Sequence, residues 1–119
     1  MSVAVIDRND VLLRGRLSAP AELRVLPSGD SLMTFRIKVR RAERRERGTA
    51  VDVLACITYD RALQRRVALW QPDDVVEVEG ALQRRFWRTP TGKASIYEVN
   101  CRKGRKVPRS AAGADARTA

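Results

Sequence analysis

The stretch that most constrains this chain is Asp73 to Cys101, DDVVEVEGALQRRFWRTPTGKASIYEVNC. It opens with Val76, Val78, Gly80 and Leu82 at alternate positions and runs on through Arg84, Arg85, Phe86, Trp87 and Arg88. It breaks at Thr89-Pro90-Thr91-Gly92-Lys93 and returns through Ile96, Tyr97 and Val99. Successive side chains of a strand point to opposite faces, so period-two alternation around a Pro/Gly turn specifies a long β-hairpin. Its arms carry a tryptophan among arginines. Cations hold phosphates and a flat ring stacks on any base, so the combination fits a surface for single-stranded nucleic acid.

The preceding chain supplies the scaffold. In Asp10 to Leu17, Val11, Leu13, Gly15 and Leu17 alternate with Leu12, Arg14 and Arg16. A glycine inside such a strand marks a bulge or a sharp bend, which small barrels use to close. Leu23 to Leu26 is a short extended piece, and Pro27-Ser28-Gly29-Asp30 is a turn. From Leu32 to Arg40, Met33, Phe35, Ile37 and Val39 face a core, while Thr34, Arg36, Lys38 and Arg40 face out and align three cations. Val51 to Tyr59 is apolar on both faces, which predicts a closed barrel or a subunit interface. Asp60 caps a short helix, Arg61 to Trp70, with Leu63, Val67 and Trp70 on one stripe, so Trp70 belongs to the core. Three strands, a helix and a two-stranded hairpin give an all-β fold: a five-stranded OB barrel with one short helix between strands three and four.

Charge narrows the partners. The chain holds 24 Lys+Arg against 14 Asp+Glu. Residues 102–119 hold six basic and one acidic residue, leaving 18 against 13, or +5, for residues 1–101. A basic body favours polyanions, nucleic acid first and an anionic membrane surface second. Arg41, Arg44, Arg45 and Arg47, with Glu43 and Glu46, form a charged connection after the second strand, open to phosphate contact or mere solvation. Residues 1–107 make one domain, and residues 108–119 lack periodicity and are expected to be disordered. No run approaches the ~20 apolar residues that cross a bilayer, and no secretory leader is visible. The expected location is cytoplasmic, with the nucleoid.

Catalytic and metal chemistry find no support. The chain has no histidine, and Cys56 and Cys101 lie 45 residues apart without a CxxC, so a zinc site is not expected. Two buried thiols or a disulfide both fit. Thr91-Gly92-Lys93 ends like a phosphate loop but lacks the upstream glycine, since Trp87 stands there. Asp73-Asp74 fit capping better than metal binding. No cofactor is implied.

In these blocks the chain resembles the bacterial single-stranded DNA-binding protein family over about residues 9–101. The resemblance rests on Asn9-Asp10-Val11, Gly15-Arg16-Leu17, Glu22-Leu23-Arg24 and Pro27-Ser28-Gly29. It continues in Asp74-Val75-Val76-Glu77-Val78-Glu79-Gly80-Ala81-Leu82, Arg85-Phe86-Trp87 and Gly92. It implies an OB fold, a homotetramer, and binding of single-stranded DNA without sequence preference in replication, repair or recombination. It places Trp87 on the family's stacking tryptophan, Tyr59 on an aromatic position before the helix, and Arg85 and Arg61 on basic positions. Val53, Glu43 and Val25 stand where the family commonly has aromatic rings, so arginine is expected to carry more of the affinity. The end Asp115-Ala116-Arg117-Thr118-Ala119 differs from the family's acidic, Pro-Phe tip, so partner recruitment through such a tip is not expected. The expected site is therefore Arg36, Lys38, Arg40, Tyr59, Arg61, Arg85, Trp87 and Arg88. Phe86, of opposite parity to Trp87, either packs under the hairpin or joins the surface. The rival readings are a primosome-type or RNA-binding OB protein and a module that binds protein alone.

Overall fold

The computed structural model describes residues 6–42 and 50–108. The strands are β1 (Val11–Leu17), β2 (Glu22–Val25), β3 (Ser31–Arg40), β4 (Val51–Thr58), β5 (Val75–Thr89) and β6 (Gly92–Lys106), with helix α1 (Arg61–Val67) between β4 and β5. The expected loop contacts of Arg44, Arg45 and Arg47 and most of the expected tail lie outside the described residues.

Five of the strands close into a ring, the OB topology. β1 pairs with β5, β5 with β6, β6 with β4, β4 with β3, and β3 returns to β1. All pairings are antiparallel except β4–β6, where Cys56 lies beside Val99 and Ile57 beside Asn100. The sixth strand, β2, is the short extended piece expected at Leu23–Leu26; it hydrogen-bonds to the first half of β3. The second half of that edge belongs to β1, through Arg16 beside Lys38 and Leu17 beside Ile37. Gly15 permits this closure. A β-carbon there would meet the Lys38 carbonyl oxygen and come within 2.7 Å of Ile37 Cγ2.

The core follows the alternation. Leu17, Phe35, Ile37, Cys56, Val76, Val78, Val99 and Cys101 point into the ring, and Leu63, Val67 and Trp70 close one end. Trp70 meets Phe35 edge to face, with centroids 5.9 Å apart. Asp60 caps α1 by accepting the Leu63 amide at 2.8 Å. Gln64 fastens the helix to the ring, donating to the Ser31 and Thr58 carbonyls at 3.0 and 3.1 Å. The helix stops at Val67 and not at Trp70, because the Leu69 and Trp70 amides bond three residues back, to Arg66 and Val67, and tighten the last turn. The hairpin also runs past Cys101, to Lys106. Gly104 lets α1 pack on this extension: a β-carbon there would lie 3.0 Å from Leu63 and 3.1 Å from Trp70.

Candidate nucleic-acid interface

The interface grows from register. On the outer wall, Arg40 lies beside Val51, Lys38 beside Val53, Arg36 beside Ala55 and Thr34 beside Ile57. β4 is thus apolar on both faces for two reasons. Cys56 enters the core, while Ala55 and Ile57 pave an outer hollow and Val51 and Val53 stay partly exposed beside the cations. Ile57 leads on to β6 through Asn100. Along the hairpin, Gln83 lies beside Glu98, Arg85 beside Ile96 and Trp87 beside Ala94, continuing that same wall outward.

A hollow of about 380 Å³ joins the two halves. Its lining includes Arg36, Ala55 and Ile57 from the ring, Arg24 from β2, and Arg85 and Ile96 from the hairpin. Arg85 reaches from it to Trp87, its guanidinium carbon 5.0 Å from the ring centroid. Glu98 sets that reach. Its side chain is 2% exposed and accepts from Arg85 Nε at 2.8 Å. The indole is 41% exposed, so one face remains for a base. A larger hollow, about 510 Å³ between α1 and β6, mixes Asp60, Glu77 and Glu79 with Arg66, Arg102, Lys103 and Arg105 and contains no ring. With no ring for a base to stack on, it is the poorer match for a single strand despite its size.

The expected residues divide on this geometry. Arg36, Lys38, Arg40, Arg85 and Trp87 share the wall, and Tyr59, 47% exposed, directly follows β4 and continues its outward parity. Lys38 is already engaged with Asp73 at 3.2 Å, whereas among the described residues no carboxylate pairs with Arg36 or Arg40. Arg61 opens α1 as an exposed residue, outside the lining of the hollow. Arg88 departs from the expectation of a place beside Trp87. It lies beside Lys93 with the parity of Arg84 and Phe86, so alternation turns it to the opposite face. Phe86 is 58% exposed and not packed beneath the hairpin. Arg41, the one arginine of the charged connection among the described residues, is held by Asp52 through two hydrogen bonds of 2.9 and 3.0 Å. Those bonds push the Asp52 carboxyl below its ordinary range and raise the Arg41 guanidinium.

Two cations were missed. Arg16 lies beside Lys38 and extends the basic row onto β1, and Arg24 lines the hollow. Arg16 had the outward parity of its strand and Arg24 sits on a strand exposed along its whole length; what the sequence did not contain was which strand neighbours β3. Cys56 and Cys101 are free, buried thiols. The neighbouring Cys101 thiol, then burial, pushes the Cys56 thiol well above its ordinary range. Among the described residues no cluster of metal ligands occurs.

Together these features define a class: a closed OB ring whose outer wall joins arginines, an apolar floor and an exposed indole. Over residues 8–107 the chain matches the Single-strand binding protein family, and it belongs to that family. It is 30% identical over 86 residues to single-stranded DNA-binding protein A of Bacillus subtilis, covering 71% of this chain and 50% of the relative. It is 31% identical over 91 residues to the single-stranded DNA-binding protein of Thermotoga maritima, covering 74% and 64%. The chain thus spans between half and two thirds of these relatives' length. The solved Plasmodium falciparum SSB complex with ssDNA shares the fold, with a TM-score of 0.71 at 23% identity over 87% of this chain and 96% of that one.

Proposed function

We propose that the chain binds single-stranded DNA without sequence preference, through the wall that runs from the β3 arginines to Trp87. One observation carries this: a single hollow is lined by both Arg36 and Arg85, and Arg85 lies over Trp87. A strand laid along it meets cations for its phosphates and an open ring for a base, and neither reads sequence. The relatives' names support DNA as the polymer, and the role follows in replication, repair or recombination. Binding involves no chemical step and no cofactor.

Assembly as a homotetramer belongs to the same proposal, supported by family membership; sedimentation at micromolar concentration tests it. No helix among the described residues is long and apolar enough to cross a membrane. A cytoplasmic, nucleoid-associated location follows from the proposed ligand.

The deciding experiment is a gel shift at physiological salt with matched single-stranded DNA, RNA and duplex DNA. The proposal expects the single-stranded DNA to shift at the lowest protein concentration. A preference for RNA would assign the wall to 2′-hydroxyl recognition. No shift with any nucleic acid would leave a module that binds protein.

A further inference from the structure

The hairpin has a second face, and the groove does not use it. Beyond the ring, Arg84, Phe86 and Arg88 of β5 share parity with Lys93, Ser95 and Tyr97 of β6. Arg84 bridges two rings there, its guanidinium carbon 4.6 Å from the Phe86 centroid and 5.4 Å from that of Tyr97. Ser95 Oγ fixes the guanidinium by accepting from it at 3.2 and 3.1 Å. Phe86 and Tyr97 nevertheless remain 58% and 60% exposed. At the base, Asn9 clamps Leu82 from both sides, donating to its carbonyl at 2.6 Å and accepting its amide at 2.9 Å. The face is therefore a fixed platform of two rings around a cation.

We infer that this platform is a second binding face for single-stranded DNA, taken up by a strand that leaves the Trp87 groove and passes round the hairpin. Charge selects the occupant. Arg84, Arg88 and Lys93 are cationic, and no carboxylate shares their parity on either arm between residues 82 and 99. A second copy of the chain docking here about a two-fold axis would set these cations against themselves, a like-charge contact that disfavours association. A polyanion with flat bases satisfies both the charges and the rings. Alternation makes the hairpin two-sided: Arg85 with Trp87 on one face, Arg84 with Phe86 and Tyr97 on the other.

The inference rests on the proposed function, and the test separates the two. Titrations use the full chain with thymidine oligomers of about 8 nucleotides, within the span of one OB fold, and about 30 nucleotides. Phe86→Ala with Tyr97→Ala is expected to weaken the long oligomer by about ten-fold or more, the stacking of at least one base, and to shorten the length protected from nuclease. Affinity for the short oligomer should stay within about two-fold, since the groove alone holds it. Phe86→Tyr with Tyr97→Phe, which keeps both rings, should retain the parental values. Unchanged affinity and protected length in the double alanine variant, with Trp87→Ala still weakening both oligomers, would overturn the second face and leave the groove standing. A changed oligomeric state in sedimentation would overturn it in favour of a contact between copies. Failure of the unaltered chain to bind either oligomer would remove both.

Discussion

Replacing Arg85 by alanine separates the two jobs its guanidinium performs, as anchor for Glu98 and as cation in the groove. The Glu98 carboxylate is 2% exposed and takes 2.8 Å from Arg85 Nε, with only a 3.5 Å contact from Gln83 beside it. A hydrogen bond to a charged group contributes about 1.5–3 kcal/mol, and losing it strands a buried acceptor. Arg85 itself is half exposed, which discounts the roughly 3–5 kcal/mol of a fully buried pair. Arg85→Ala should therefore cost about 2 kcal/mol of stability at neutral pH. Adding Glu98→Gln removes the stranded charge and should return about half of that loss, a coupling expected of residues in direct contact. Binding behaves differently: both variants lack the cation, but because Glu98 already pairs with it, both should show a log–log salt slope shallower by less than the roughly 0.7 of an unpaired cation. Urea denaturation gives the first quantity and oligomer titration at several salt concentrations the second. An Arg85→Ala chain as stable as its parent would refute the anchoring, and a double variant that recovered affinity would remove the guanidinium from the groove.

The ring cations with no carboxylate partner among the described residues are the simplest controls. Arg16→Ala and Arg36→Ala should each reduce the salt slope by about 0.7 with little change in the urea midpoint, whereas Lys38→Ala, already neutralised by Asp73, should reduce it less. Gly15→Ala should destabilise by about 1–3 kcal/mol in urea denaturation, because the nearest atom is the Lys38 carbonyl oxygen in the β3 backbone, which cannot step aside. Cys56 and Cys101 should resist thiol reagents until denaturant is added. Because folding raises the Cys56 pKa, the unfolded chain ionises first once pH passes the ordinary value near 9.0, and stability should fall there. Cys56→Ala should flatten that alkaline slope by up to about 1.4 kcal/mol per pH unit.

What the sequence disclosed was local. Alternation gave the inward and outward sides of β1, β3 and β5, and helical spacing put Trp70 in the core. Which strands become neighbours is a long-range fact. The β1–β3 closure that adds Arg16 and the β2–β3 pairing that adds Arg24 depend on it, and so do Ala55 and Ile57 as a groove floor. The parallel contact of β4 with β6 carries no local signature at all. The end of β6 was obscured by composition: Arg102, Lys103, Arg105 and Lys106 break the apolar alternation that marks the hairpin up to Cys101, while Gly104 between them packs under Trp70. Arg88 shows the opposite case. Its parity was visible, but closeness in sequence to Trp87 outweighed it, and period-two geometry turned the side chain away.

Because Trp70 is buried at 7% exposure, any base that stacks on an indole reports through Trp87. Titrating a short thymidine oligomer into the chain while following tryptophan fluorescence therefore observes the hairpin half of the groove directly. The oligomer should quench the unaltered chain and not Trp87→Phe, and Arg36→Ala, on the ring half, should shift the same quench to higher oligomer concentration. A quench that survives in Trp87→Phe, or one indifferent to Arg36→Ala, would contradict a single continuous wall.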